Sequence, residues 1–384
     1  MNEQDTIYRP VKLSIGHYGW QDNDVMRQLE TDTLMQNICF ACFNNALTIE
    51  EISRTLSVAA VYLEDKLNKL VSMEYMTKSA KGKYQTNFFI RGTEYQLAHS
   101  RYQYEKTAPL AEAYYSVVKS AFPEIKALGF VGADIGADIL MWDLMLYFMM
   151  CETGKTDNRM IKKLHLEHGA PIRPDGTRHW LRGEVVGTDT EKAKETGDEV
   201  FYEFYCNARG FCVRSLNLTP ANIHGLKFDS PFVSGFYSKW NAFGEKDLTA
   251  LRRVRELMCG AEINDFDKAA VADLIEKGYV SRVGGKLKTL IPYFNKEQKE
   301  AVDQILAEHA DKLLDRETNL KLFIGYAEHM KKLIPACVCE NERNHYLTSY
   351  DPHNAVLWHL MKKGLLKEPT EAERKFICTV MWDI

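Results

Sequence analysis

The stretch from Ala46 to Arg91 constrains this chain more than any other, because a series of local signals falls there in a definite order. Thr48 stands where an N-cap belongs. Glu51, three residues on, completes a capping box, in which each side chain satisfies a backbone N–H that the helix start leaves unpaired. The helix so opened carries Ile52 and Leu56 inward. Ser57 marks a turn, and Val58, Leu63, Leu67 and Leu70 form the apolar stripe of a second helix, predicted to begin at Val58. Tyr75 and Met76 start a strand, Lys78 to Lys83 supply a polar turn containing Gly82, and Tyr84 to Ile90 run back. The prediction is two short helices joined by a tight turn, then a hairpin with a basic tip.

Composition limits what can surround this stretch. At 384 residues and 44.2 kDa the chain has material for two or three domains, each able to bury its own core. An apolar fraction of 45% and a charged fraction of 27% are those of an ordinary soluble globular protein. Met1 to Gln21 is polar and mixed in charge, without the apolar core of a signal peptide. The longest apolar run, Ile139 to Met150, is interrupted by Asp143 and falls short of the ~20 residues a membrane span needs, so a buried core helix is expected there. Nine scattered cysteines suggest reduced thiols and a cytoplasmic location. With a net charge of −4 and a pI near 6.3, any contact with nucleic acid must come from a local basic patch.

Residues Met1 to Leu29 form an N-terminal arm in which Val11, Leu13 and Ile15, bracketed by Pro10 and Gly16, predict a short strand. From Thr31 the pattern is helical, with Leu34, Ile38, Cys39 and Cys42 on one face and an end near Asn44 and Asn45. The order helix, two apolar residues, hairpin recurs twice. Leu248 to Leu257 and Phe266 to Lys277 are predicted helices, followed by Gly278, Tyr279 and Val280, a Gly284–Gly285 turn and a strand from Leu287 to Tyr293. Asn354 to Lys363 is a predicted helix, followed by Gly364, Leu365 and Leu366, a turn at Pro369 and a strand from Phe376 to Trp382. In both, the glycine suits the left-handed position after a helix. Between the first two units an α+β region is expected. It has helices at Leu110 to Phe122 and Ile135 to Cys151, a loop at Arg173 to Gly176 and a strand from Trp180 to Gly187. A hairpin of Val200–Cys206 with Phe211–Leu218 completes it. Glu297 to Lys332 is predicted to be a charged helical arm. The expected division is therefore 1–100, 101–245, 246–296 and 297–384.

Catalytic signatures are weak. Gly154–Lys155–Thr156 has the ending of a phosphate loop, but Met149 stands where that loop needs a glycine, and a helix rather than a strand precedes it. Gly129, Gly132 and Gly136 have the wrong spacing for a dinucleotide fingerprint. Neither a nucleophile elbow nor a zinc-protease helix is present. Cys39 and Cys42 lie on an apolar helix face and read as buried thiols. His165 with His168, and Cys337 and Cys339 with His345, are loose groups short of a four-ligand zinc site. No enzyme activity, metal or cofactor is expected.

At Thr48, Glu51, Ile52, Leu56, Val58, Leu63, Leu67 and Leu70, then Tyr75–Met76 and the basic turn, the sequence resembles the winged helix-turn-helix transcriptional regulators of bacteria, broadly the MarR- and ArsR-like kind. The resemblance implies a helix from Val58 that enters the major groove and a hairpin, the wing, that meets the minor groove or the backbone. The implied DNA contacts are Ala59, Ala60, Tyr62, Lys66 and Lys69 on the helix, and Lys78, Lys81 and Lys83 on the wing. The helix departs from the family in lacking Arg, Asn or Gln in its N-terminal half, where base edges are read. Glu64 and Asp65 repel a phosphate backbone if they point outward, and Glu74 stands where a glycine is usual.

In the middle region, Trp142, Trp180, Arg182, Tyr202 and Phe204 are the candidate ligand-binding residues, with Arg214 a further polar group. The plainer alternative is that these aromatics fill a core. The expected fold class is α+β, with an N-terminal winged helix, a central α+β domain and one or two further winged-helix-like units toward the C-terminus. The expected function is a DNA-binding transcriptional regulator. It would be a cytoplasmic homodimer whose partners are double-stranded DNA and a small-molecule effector or a protein. The alternative is a protein-interaction module that uses winged-helix units without binding DNA.

Overall fold

A computed structural model describes residues 8–18, 24–166, 169–186, 189–207, 214–217, 256, 265–276, 278, 280–348, 350, 352–370, 372–373, 377 and 379–382. The elements begin with β1 (Leu13–Tyr18), α1 (Asp24–Thr31), α2 (Thr33–Ala41), α3 (Ile49–Leu56), α4 (Val61–Ser72), β2 (Met76–Lys78), β3 (Tyr84–Thr86) and β4 (Phe89–Arg91). There follow α5 (Thr93–Lys106), α6 (Ala108–Ala127), α7 (Ala137–Leu164), β5 (Trp180–Val185), α8 (Asp189–Glu195), α9 (Glu199–Asn207) and β6 (Arg214–Asn217). The remainder are α10 (Asp265–Glu276), β7 (Val280–Val283), β8 (Lys286–Thr289), β9 (Tyr293–Phe294), α11 (Lys296–Leu313), α12 (Arg316–Lys331), α13 (Glu340–Leu347), α14 (His353–Lys362) and β10 (Thr379–Trp382). The architecture is mixed α+β, mostly helical with small sheets.

Two compact units are each assembled from separated stretches. One comprises Met1–Tyr102, Asp157–Glu199 and Leu320–Tyr350; the other comprises Gln103–Thr156, Val200–Asn319 and Asp351–Ile384. The consecutive division drawn from the sequence has no such interleaving. Periodicity shows which faces are buried, but not which distant segment covers them.

In the first unit β5 is the central strand of a three-stranded sheet, antiparallel to β1 and parallel to β4. Its side chains alternate: Leu181, Gly183 and Val185 are buried, while Trp180, Arg182 and Glu184 are half-buried on the other face. Packing is close at Gly183, where a Cβ would come within 3.2 Å of the Ile90 side chain and force it to give by a few tenths of an ångström. The N-terminal arm is held by two buried amides of α2. Gln36 accepts from the Leu13 N–H at 3.0 Å, and Asn37 both accepts from the Val11 N–H at 2.8 Å and donates to its carbonyl at 2.9 Å. The core of this unit gathers Ile38, Cys39, Ile52, Leu63, Leu67, Leu70 and Tyr75 with Phe323, Tyr326 and Met330 of α12 and Tyr346 of α13.

In the second unit α11 and α14 both pack on α6, and α7 buries Trp142, Met145, Leu146 and Met149. Its sheet has the order β6-β10-β9 with parallel pairing throughout, and β7 and β8 form a separate hairpin across Gly284 and Gly285. Helix α7 runs on past Cys151 to Leu164.

Two expectations are corrected here. Val200 to Cys206 is not a strand but the body of α9, whose buried Phe201, Phe204 and Tyr205 recur at helical spacing; the proposed hairpin is absent, and β6 pairs with β10 instead. Near the C-terminus α14 ends as expected and Gly364 is left-handed with φ 70°, but β10 joins β6 and β9 in parallel, so no hairpin forms from it among the described residues. The helix before Gly278 and the β7–β8 hairpin are present. The predicted helix at Leu248 to Leu257 lies outside the described residues, apart from Glu256.

Candidate functional site

The helix pair and hairpin are built by the local rules that predict them. Thr48 Oγ accepts from the Glu51 N–H at 3.3 Å, and Glu51 Oε2 accepts from the Thr48 N–H at 2.7 Å, so the capping box is complete. Ser57 takes the left-handed conformation, with φ 55° and ψ 40°, and turns the chain between the helices. Helix α4 begins at Val61 rather than Val58, with Ala60 as an N-cap that offers no side-chain acceptor. Val58 packs against the core, and Ala59 and Ala60 belong to the turn.

The hairpin pairs Met76 with Thr86, Thr77 with Gln85 and Lys78 with Tyr84. Its tip is closed by the Ser79 N–H to the Lys83 carbonyl at 2.8 Å, with Gly82 at φ 72°. Leu47, just before α3, exchanges two backbone hydrogen bonds with Tyr84, at 3.0 and 2.7 Å. The Thr86 hydroxyl donates to the Cys39 carbonyl at 2.7 Å and anchors the return strand to α2. Glu74, where a glycine would be usual, is itself left-handed with φ 56°.

The surface of α4 is less basic than its sequence. Leu63, Leu67 and Leu70 are buried, and Val61 and Tyr62 stand out at 70% and 68% exposure. Lys66 is ion-paired with Asp32, the N-cap of α2. Burial opposes ionisation of Asp32, but the Lys66 hydrogen bond and the Met35 N–H outweigh it and hold the carboxyl below its usual value. Lys69 pairs with Asp65 at 2.8 Å. On the hairpin, Lys83 lies 3.7 Å from Glu51, while Lys78 and Lys81 are exposed, Lys78 with its ammonium 5.0 Å from the Tyr84 ring centroid. Of the predicted contacts, Ala59, Tyr62, Lys78 and Lys81 are exposed, Ala60 is half-buried, and Lys66, Lys69 and Lys83 are engaged within the protein.

The five predicted ligand-binding residues are divided between the units. Trp180 and Arg182 lie on β5 of the first; Trp142, Tyr202 and Phe204 belong to the second. Trp142 is buried, and its indole N–H donates to the Lys367 carbonyl at 2.9 Å. Phe204 is buried against Tyr104 and Trp358, with ring centroids at 5.2 and 6.0 Å, whereas Tyr202 is half-buried. Trp142 and Phe204 therefore fill a core. Trp180 stacks on His345 at 4.3 Å with an interplanar angle of 13°. The side chain of Arg214 lies outside the described residues.

A buried polar group went unseen in the sequence. The side chains of Arg173 and Glu342, exposed by 2% and 0%, pair at 3.5 Å. Glu342 also accepts from the Leu181 N–H at 3.0 Å. Burial pushes its carboxyl up to about 7 despite Arg173 beside it. Arg173 donates to the Glu74 carbonyl at 3.3 Å and lies 5.4 Å from the Tyr75 ring centroid, and the Tyr75 hydroxyl meets His179 Nε2 at 3.0 Å. The base of the hairpin is thus tied to β5 and α13. Arg173 was legible only as part of a loop, and nothing in its neighbours signals a partner so far along the chain.

Among the described residues no group of His, Cys, Asp or Glu is arranged to hold a metal, and no helix is long and apolar enough to cross a membrane. His168 lies outside the described residues. Cys39 and Cys42 are buried, which pushes the Cys42 thiol up to about 12 and that of Cys39 well above its ordinary value. Gly154 to Thr156 falls inside α7, so it offers no phosphate loop. No known protein family, curated protein or solved structure matches this chain.

Proposed function

We propose that α2, α3, α4 and the β2–β3 hairpin form a winged helix, and that the protein is a DNA-binding transcriptional regulator using α4 and the hairpin tip. The observation that carries this is the pairing of Leu47 with Tyr84, which ties the segment before α3 to the return strand of the hairpin. Helix, bridging residue, two helices and hairpin then follow in the order of a winged helix, with the left-handed turn at Ser57 between the helix pair. Of the expected contacts, Lys78 and Lys81 are the accessible cations for phosphate. The same proposal includes a homodimer, measurable by sedimentation, and a small-molecule effector.

A second reading, contact with another protein through the same face, is favoured by one observation. The lysines of α4 are ion-paired while Val61 and Tyr62 are exposed. Fluorescence anisotropy of the full chain with pooled genomic duplexes, over a salt series, separates the two. In the homodimer, two phosphate contacts per chain predict a slope of log affinity against log salt of about −4, and Lys78→Ala and Lys81→Ala should each flatten it by about two. Absence of salt-sensitive binding would remove the DNA reading and leave the protein-contact one.

A further inference from the structure

The passage from helix to hairpin in the first unit recurs in the second. Leu67 and Leu70 are buried on α4, Glu74 is left-handed, and Met76 opens β2. At the same spacing, Val271 and Leu274 are buried on α10, Gly278 is left-handed, and Val280 opens β7. In sequence a tyrosine follows each left-handed residue, Tyr75 and Tyr279. The first pair of each hairpin joins the opening residue to a buried threonine, Met76 to Thr86 and Val280 to Thr289. The next pair repeats a side-chain bond. The Thr77 hydroxyl donates to the Gln85 carbonyl and the Ser281 hydroxyl to the Lys288 carbonyl, both at 3.5 Å. Beyond the hairpins, β4 runs parallel to β5 and leads into α5, while β9 runs parallel to β10 and leads into α11.

In this register Arg282 takes the place of Lys78, and Lys286 that of Lys83. Lys83 lies beside Glu51, but Arg282 and Lys286 are exposed, and neither forms an ion pair among the described residues. Lys288 is engaged by Asp134 at 2.8 Å. The second tip is also tighter. Gly284 and Gly285 are both left-handed, with φ 56° and 80°, as a two-residue hairpin turn requires. A turn without side chains can come close to a phosphate backbone, and the planar fork of arginine fits phosphate oxygens. We propose that the β7–β8 tip is a second phosphate-contacting wing, with Arg282 and Lys286 on the backbone of duplex DNA. The assignment rests on the reading of the protein as a DNA binder and adds to it a contact outside the first helix pair.

Anisotropy of the full chain with the same pooled duplexes over the salt series tests this. Four phosphate contacts per chain steepen the slope in the homodimer to about −7, against about −4 from the first tip alone. Arg282→Ala and Lys286→Ala should each flatten it by about two. Both side chains stand in solvent, so the variants should melt with the parent. If Lys78→Ala flattens the slope while neither Arg282→Ala nor Lys286→Ala does, the second wing is overturned and the first reading stands. If only the second-tip variants flatten it, the second wing stands and the first falls. Absence of salt-sensitive binding removes both. Vesicles of phosphatidylserine and phosphatidylcholine provide the counter-test, because Val283 is 62% exposed beside Arg282. Vesicle binding that Arg282→Ala weakens, with the duplex slope unchanged, would overturn the proposal and assign the tip to a membrane surface.

Discussion

Glu342 is a carboxylate almost without access to water, and its two states differ in what burial asks of them. Its pKa of about 7 lies above the value near 4.3 expected in an unfolded chain, so the folded state binds the proton more tightly. The stability this confers is fully present below about pH 4.3 and is lost as pH rises to about 7, on the order of 3 kcal/mol across that window. In Glu342→Gln the Leu181 N–H keeps an acceptor while the titration disappears. The variant is expected to be less stable than the parent at pH 5, with a deficit that shrinks by on the order of 2 kcal/mol by pH 8. Urea denaturation at both pH values measures it; a deficit that does not change with pH would show that Glu342 does not titrate in this range.

At the scale of elements, α3 rests on a reciprocal cap rather than on length, since it has only eight residues. Thr48→Ala leaves the Glu51 N–H without its acceptor and should cost about 1 kcal/mol. Glu51→Gln retains the reciprocal bond and loses only the exposed pairing with Lys83, so a smaller loss than in Thr48→Ala is expected. Equal losses in the two variants, measured by thermal or urea unfolding, would mean that the cap is not what holds the helix start. These signals were legible because they act within four residues: the Thr48–Glu51 box, the Ser57 turn and the Lys78–Lys83 tip. Val200 to Cys206 is helical where a strand is expected because a short run rich in Phe and Tyr satisfies strand preference as well as helical spacing, and only packing against Tyr104 and Trp358 decides between them. The pairing of Arg173 with Glu342 had no local signature at all. The accessible charge of α4 was equally hidden, because Asp32, which engages Lys66, lies outside the helix pair.

At the scale of the whole molecule, the interleaving of chain segments changes what counts as a domain. The helix pair and hairpin lie within Met1–Tyr102, and on periodicity alone that stretch looks self-sufficient. Its core is not. Leu320, Phe323, Tyr326, Ala327 and Met330 from α12, and Tyr346, Leu347 and Tyr350 beyond it, belong to the same buried cluster as Ile38, Leu63 and Phe89. The central strand of its sheet, β5, comes from a third stretch. Burying a side chain of the size of Phe or Leu contributes about 1.5–3 kcal/mol, while a domain's net stability is only about 5–15 kcal/mol, so losing most of these is enough to match the total. A fragment ending at Tyr102 is therefore expected to lack cooperative unfolding and a dispersed amide spectrum, although its helices can form transiently. The full chain is expected to show both. If the fragment alone gives a dispersed spectrum and a sharp melting transition, the distant segments are not needed for its core, and the helix pair with its hairpin folds as an independent module.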